Sequence, residues 1–380
     1  MDAALGISSL AGRFAPAACP RLVVKIGSSL LIAPDGAVRR DWLASVVADL
    51  AAARAAGQQV IIVSSGAIAL GARRLGLERG GRASLEDAQA AAAVGQVALA
   101  AVWSALLGHA GLTMAQLLVT LDDLEDRRRY LNATATLARL LALGAVPVIN
   151  ENDTVATTEI RFGDNDRLAA RVAQAAGASG VILLSDVDGL YTAHPATPGA
   201  TRLAVVDAIT PAIEAMATAG SGSGMGSGGM AAKVAAARIA GAAGIPLAIA
   251  DGRAEHPLQR FATTGIGTLF LAGGGAPARK AWLAGRLTVK GTLHIDAGAA
   301  AALRGGKSLL AAGVTRVEGG FGRGDVIAIA GPEGVIGRGL AGYDAADAAA
   351  IQGLRADAQA AALGYAPRAA LVHADHLVLL

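Results

Sequence analysis

Six times before residue 253, a short run of branched apolar residues stops at small or polar ones. The runs are RLVVKIGSSLL (Arg21–Leu31), QVIIVSSGAIALG (Gln59–Gly71), LTMAQLLVT (Leu112–Thr120), AVPVINEND (Ala145–Asp153), GVILLSDVDGLY (Gly180–Tyr191) and IPLAIADG (Ile245–Gly252). Between them lie stretches with helical spacing: Arg39–Gly57, Glu86–Gly111, Arg128–Gly144, Asp166–Ala178 and Ala231–Gly244. Strands that are apolar on both faces and alternate with helices predict an α/β fold, a mostly parallel open sheet sandwiched by helices. In such sheets ligands sit beyond the carboxyl ends of the strands. That is where the Gly, Ser, Asn and Asp residues fall.

The pattern changes after about Arg279. Short strands broken by Gly turns predict a small β-rich C-terminal barrel with a few helices. The chain of 380 residues is thus expected to form two domains, with a core of Ala, Val, Leu and Ile, since aromatics are only 3%. The expected boundaries are an N-terminal extension (1–20), a first domain (21–272), a linker (273–285), the barrel (286–370) and a tail (371–380). A net charge of +3 with interleaved signs calls for no nucleic acid. The single Cys19 excludes a disulfide framework and a cysteine zinc site. MDAALGISSLAGRFAPAACP carries neither the basic nor the apolar region of a signal peptide, so the extension is expected to be loose and the protein cytoplasmic. No stretch is expected to cross a membrane.

Four clusters could carry chemistry. In VVKIGSS, Lys25 precedes a Gly27–Ser28–Ser29 turn whose N–H groups could face an anion, although an ordinary β–α turn would look the same. In VSSGAIALG, Ser65 and Gly66 lie at a helix start, where Ser65 taken alone is an N-cap. NEND (Asn150–Asp153) and GDND (Gly163–Asp166) crowd acids and amides into two nearby loops, without the spacing of a calcium-binding EF-hand. Asn and Asp also suit plain turns, but two such loops so close together favour a site. LLSDVDGLY places Ser185 and Asp186 after a buried strand, where a type I turn is the simpler account. GSGSGMGSGGMAAK (Gly220–Lys233) has the composition of a flexible linker, yet it ends in a lysine that opens a helix. The six histidines are scattered, which disfavours a histidine metal site.

Together and in this order, VVKIGSS, VSSGAIALG, AAVGQ, PVINENDTVATTEI, FGDNDRLAA, LLSDVDGLYTA and GSGGMAAK resemble the amino acid kinase family over about Arg21–Phe270. The resemblance is to the branch that phosphorylates the γ-carboxylate of L-glutamate and carries a C-terminal PUA domain. It implies ATP and Mg²⁺, with the metal held mainly by the ATP phosphates rather than by the protein. It implies that Lys25 and Lys233 contact the transferring phosphate and that Asp166 organises them as the third catalytic residue. ATP-binding positions are implied at Lys25, Gly27, Ser28, Ser185, Asp186, Ser227, Gly228, Gly229, Met230, Ala231, Ala232 and Lys233. Substrate-binding positions are implied at Ser65, Gly66, Asp153, Asp164 and Asn165. Ser28, Ser64 and Ser185 stand where threonine is usual, and the hydroxyl is kept.

The extension before Arg21 has no counterpart in the family pattern. The resemblance further implies feedback by L-proline near Thr154–Phe162, a dimer or tetramer, and a glutamyl phosphate reductase as pathway partner. GSGSGM is then expected to be a mobile flap and GSGGMAAK a phosphate grip. Two alternatives stay open. One is a family member acting on another substrate, of the acetylglutamate kinase or aspartokinase type. The other is an RNA-binding protein working through the PUA-like region, which has only modest charge and few aromatics.

Overall fold

The computed structural model describes residues 10–33, 36–155, 164–219, 229–272 and 289–379. The chain divides into two compact units, Met1–Gly274 and Gly275–Leu380.

The first unit runs β1 (Arg21–Ile26), α1 (Ser28–Leu31), α2 (Arg40–Ala55), β2 (Gln59–Ser64), α3 (Ala67–Leu75), α4 (Leu85–His109), β3 (Met114–Val119), α5 (Leu121–Glu125), α6 (Arg127–Ala142) and β4 (Val146–Glu151). It continues with α7 (Asp164–Ala176), β5 (Gly180–Ser185), β6 (Val205–Val206), α8 (Pro211–Ala219), α9 (Met230–Ala242), β7 (Leu247–Asp251), α10 (Pro257–Thr264) and β8 (Gly267–Phe270). The strands form one sheet in the order β3-β4-β2-β1-β5-β7-β8-β6. All its pairings are parallel except β7 with β8. β6, β8 and their pairing went unseen in the sequence, because β6 is two residues long and β8 lies in a stretch read as the approach to the domain joint.

The period-2 alternation of strand side chains decides what each face holds. Leu22, Val24 and Ile26 of β1, with Val60 and Ile62 of β2 and Ile182 and Leu184 of β5, pack on the side of α2, α4 and α10. Val23, Ile61, Val63, Val181 and Leu183 pack on the side of α6, α7 and α9. Lys25 follows the alternation of Val23, so it stands on the α7/α9 side.

In the first unit two expectations change. The segment before Arg21 is not loose from Leu10 onward. Leu10, Ala11, Phe14 and Cys19 belong to the first core. The Gln58 amide donates to the carbonyls of Phe14 (2.9 Å) and Cys19 (2.6 Å). Burial holds the Cys19 thiol up at about 11, which keeps it an inert packing group.

The second change concerns α4, which does have the length and mean hydropathy, 1.8, of a membrane span. Its alanines give it that hydropathy, and one face is committed to the interior through Leu99, Trp103 and Leu107. It packs on α3 at backbone contact. A Cβ on Gly71 would lie 1.7 Å from the Ala91 carbonyl oxygen, and one on Gly95 1.7 Å from that of Ala67.

The second unit contains β9 (Gly291–Ile295), α11 (Ala297–Arg304), β10 (Val314–Gly319), β11 (Val326–Gly331), β12 (Gly334–Leu340), α12 (Ala345–Ile351), α13 (Ala356–Leu363) and β13 (Leu377–Leu379). Its mixed sheet has the order β10-β9-β11-β12-β13. Residues 371–379, taken from sequence as a tail, supply the edge strand β13 and bury Leu371, Val372 and Leu377.

Candidate active site

Three charged side chains meet inside the first unit. Asp166 lies in the first turn of α7, Lys25 near the end of β1 and Lys233 in the first turn of α9. The Asp166 carboxylate is fully buried, and both lysines are nearly so, at 6% exposure. Lys25 Nζ lies 2.6 Å from Oδ1 and Lys233 Nζ 3.0 Å from Oδ2. Lys233 Nζ donates a hydrogen bond to Oδ2, and Lys25 pairs with Oδ1 at close charge-contact distance.

Each partner pays for burial differently. For Asp166, desolvation is the largest influence and pushes upward, but the two ammoniums together outweigh it and hold the carboxyl below its usual range. For Lys25, desolvation dominates and lowers the pKa, Lys233 adds to the lowering, and Asp166 opposes both. The helix dipole favours Asp166 at the start of α7 and disfavours Lys233 at the start of α9. One carboxylate against two ammoniums leaves this buried cluster with a net positive charge, which an anion from outside would complete.

Beside the charge cluster runs a neutral relay. Asn165 Nδ2 donates to Ser65 Oγ (2.8 Å) and to Asn150 Oδ1 (3.2 Å), and Asn150 Nδ2 donates to Gln96 Oε1 (2.8 Å). The relay therefore joins the starts of α7 and α3 to the end of β4 and the middle of α4. Asn165 Oδ1 is buried and has no hydrogen-bond partner among the described residues. An orphaned acceptor of this kind is costly unless a ligand donates to it. Behind the relay, Trp103 Nε1 donates to the buried Ser64 Oγ (3.0 Å), which fixes the end of β2. Gly66 caps α3 with φ 105°, a left-handed value that glycine adopts freely.

At the end of β5, Ser185 is buried and its hydroxyl donates to Asp186 Oδ1 (3.1 Å), while Asp186 is exposed. Asp153 is nearly buried, and its charge acts on Arg82, opposing the lowering by desolvation. Gly229 caps α9, and the N–H groups of Ala232 and Lys233 turn back to its carbonyl. The N–H groups of Met230 and Ala231 have no acceptor within the helix. Among the described residues, no group of three or more His, Cys, Asp or Glu could hold a metal.

A family model described as Amino acid kinase family matches residues 20–251, more than half of the chain. The chain belongs to the amino acid kinase family. A second model, PUA domain, matches residues 291–361. The mostly parallel eight-stranded sheet flanked by helices is the amino acid kinase fold, and the separate sheet beyond it belongs to the PUA domain.

A protein named Glutamate 5-kinase from Sphingopyxis alaskensis is 69% identical, over 97% of this chain and 99% of its own. Another of that name from Novosphingobium aromaticivorans is 62% identical over 98% of this chain and all of its own. A third, from Zymomonas mobilis, is 61% identical over 97% of this chain and 93% of its own. Coverage of 98% leaves no room for twenty unmatched residues before Arg21, so the extension does have counterparts among relatives.

Within the kinase domain, the structure brings Lys25, Lys233 and Asp166 into contact and Ser65 with Asn165. Ser185 and Asp186 stand on the neighbouring strand end. Gly27 and Ser28 follow β1, and a Cβ on Gly27 would lie 3.7 Å from Lys25 Nζ. Ser227 and Gly228 lie outside the described residues, as do the GSGSGM stretch and residues 156–163 of the loop assigned to proline. Asp164 opens α7, but its side chain is not described. Sequence reasoning missed Gln96 and Trp103, although Gln96 stands in the quoted AAVGQ. The small residues in AIALG and AAAVG, four apart on each helix, were the signal for the close α3/α4 contact.

Proposed function

We propose that this chain transfers the γ-phosphoryl group of ATP to the γ-carboxylate of L-glutamate, forming L-glutamyl 5-phosphate at the first step of the route to proline. The observation that carries this is the single buried carboxylate of Asp166 holding two lysine ammoniums beside an orphaned amide acceptor. The glutamate side chain, with a reference pKa of about 4.3, is ionised at neutral pH and needs no general base. Its difficulty is repulsion from a polyanionic donor, and positive charge with oriented N–H groups relieves that.

Lys25 and Lys233 supply the charge. Asp166 keeps the two ammoniums apart and aimed. Met230 and Ala231 offer backbone N–H groups, and the glycines at 27 and 229 let main chain come close. Ser185, Asp186 and the run from Ser227 to Lys233 form the nucleotide side. Bound MgATP supplies the electrophilic phosphoryl group, with the metal neutralising its oxygens. Ser65, Gly66, Asp153, Asp164 and Asn165 form the amino-acid side, where Asp153 and Asn165 Oδ1 suit an α-ammonium.

The reading also includes L-proline as inhibitor near Thr154–Phe162, a dimer or tetramer, a reductase that consumes the labile acyl phosphate, and a cytoplasmic location. It divides the chain into a catalytic domain (21–272), a linker (273–285) and a PUA-like domain (286–370). An ADP-release assay over L-glutamate, N-acetyl-L-glutamate, L-aspartate and UMP tests it. L-glutamate alone should support turnover, and preference for any other acceptor contradicts it.

A further inference from the structure

Four residues spaced at 39, 42, 45 and 49 lie along one stripe of α2 and its N-cap. Together they hold the segment that follows β7. The Arg39 guanidinium donates to the Arg253 carbonyl (3.1 Å), and Trp42 Nε1 donates to that of Ala254 (3.0 Å). Ser45 Oγ accepts from the His256 N–H (2.9 Å). Asp49 accepts from the N–H groups of Leu258 (3.0 Å) and Gln259 (3.2 Å) and meets His256 Nδ1 at 2.8 Å. The lower part of this row caps α10 and serves packing. Arg39 differs. Its other nitrogen donates to the Leu30 carbonyl at 3.1 Å, and its guanidinium stacks over Trp42 with 5.2 Å to the ring centroid.

The two carbonyls that Arg39 joins lie in the segments that follow β1 and β7, the strands on either side of β5. Leu30 belongs to α1, which follows Lys25 and Gly27. Arg253 follows Gly252, whose N–H donates to the Ser185 carbonyl (2.7 Å). The two segments already touch, since a Cβ on Gly252 would lie 2.4 Å from Leu30 Cδ1 and 3.1 Å from Leu184 Cβ. The Arg253 guanidinium is held against Asp251 by two hydrogen bonds, at 2.9 and 2.8 Å, and stands within the electrostatic reach of Asp186 and Asp188. A planar cation with donors at both ends can tie two backbones together at a fixed spacing; a lysine cannot.

We propose that Arg39 is a positioning residue for the nucleotide, setting the distance between the Gly27–Leu31 segment and the Asp251–Arg253 segment. This rests on the kinase reading above for which ligand enters. The test measures binding of a fluorescent ATP analogue with Mg²⁺ to the full chain, and KM values for MgATP and L-glutamate by ADP release. Arg39→Ala should raise the analogue's Kd and the MgATP KM about tenfold, with the glutamate KM within about twofold. Arg39→Lys, keeping one contact at most, should fall between. Asp49→Asn, at the far end of the row, should lower the melting temperature and leave the nucleotide Kd unchanged. The proposal is overturned if Arg39→Ala lowers stability without changing Kd, or if Asp49→Asn weakens nucleotide binding equally. A wild type that binds the analogue but does not phosphorylate glutamate would sink the kinase reading and leave the Kd comparison decisive for Arg39.

Discussion

The charged cluster and the neutral relay of the first unit are built from different chemistry. Lys25 and Lys233 are charged, buried and each in contact with Asp166. Ser65, Asn165, Asn150 and Gln96 form a relay of neutral groups that includes an acceptor with no partner among the described residues. On the proposed reading the cluster meets the phosphate and the relay the amino acid. Charge is needed where a transition state gathers negative charge, and a low-dielectric setting makes it effective. Neutral amides suit recognition, because they discriminate by geometry and cost less to bury. On that reading the charged cluster should govern kcat and the neutral relay KM.

Substitutions on each side can break this division. The largest effect belongs to Asp166→Asn, which leaves two buried ammoniums facing each other. Chemical denaturation should show a loss of about 3–5 kcal/mol, with turnover near background. Full stability would mean that the lysines do not depend on that carboxylate. Asp153→Ala should raise the glutamate KM by about ten- to a hundredfold, the range for a lost charged hydrogen bond, with kcat little changed. A fall in kcat at constant KM would move Asp153 from the amino-acid side to the phosphate side of the proposed site.

A pH profile sharpens the comparison further. Burial lowers the pKa of Lys25, and loss of its proton removes charge from the cluster proposed to meet the phosphate. The alkaline limb of kcat/KM for the free enzyme should fall at a lower pH than an ordinary lysine would give. A limb at the ordinary lysine position would show that Lys25 is not desolvated before substrate binds. The smallest effect is expected for Gln96→Ala, which frees one amide of Asn150. The glutamate KM should rise about threefold, and if the change adds to that of a substitution at Lys233, the relay and the ion cluster act separately.

Much of the candidate site's placement was legible because small and polar residues gather at the strand ends of a parallel sheet. Lys25, Ser65, Asn150 and Ser185 could each be placed at such an end from short motifs alone. Asp166 was different. Spacing placed it at a helix start, but its grip on both lysines came only with the family resemblance. The geometric reason is visible afterwards: Lys25 shares the face of Val23, which α7 and α9 cover.

Contacts between distant residues left little trace in the sequence. Arg39 meets Arg253 across more than two hundred positions, and Gln58 ties down residues before Arg21. The opening of GSGSGMGSGGMAAK stays outside the described residues. Its end, from Gly229, now stands as the cap and first turn of α9, where Lys233 meets Asp166.

The most direct test of the division is the rate of γ-glutamyl hydroxamate formation, with hydroxylamine trapping the acyl phosphate, in Lys233→Ala and Asn165→Ala side by side. Lys233→Ala should lose about 10²–10³-fold in kcat, with the glutamate KM within about threefold. Asn165→Ala should raise the KM about tenfold and keep most of kcat. Near-normal turnover in Lys233→Ala, or the same kcat loss in both variants, would contradict it.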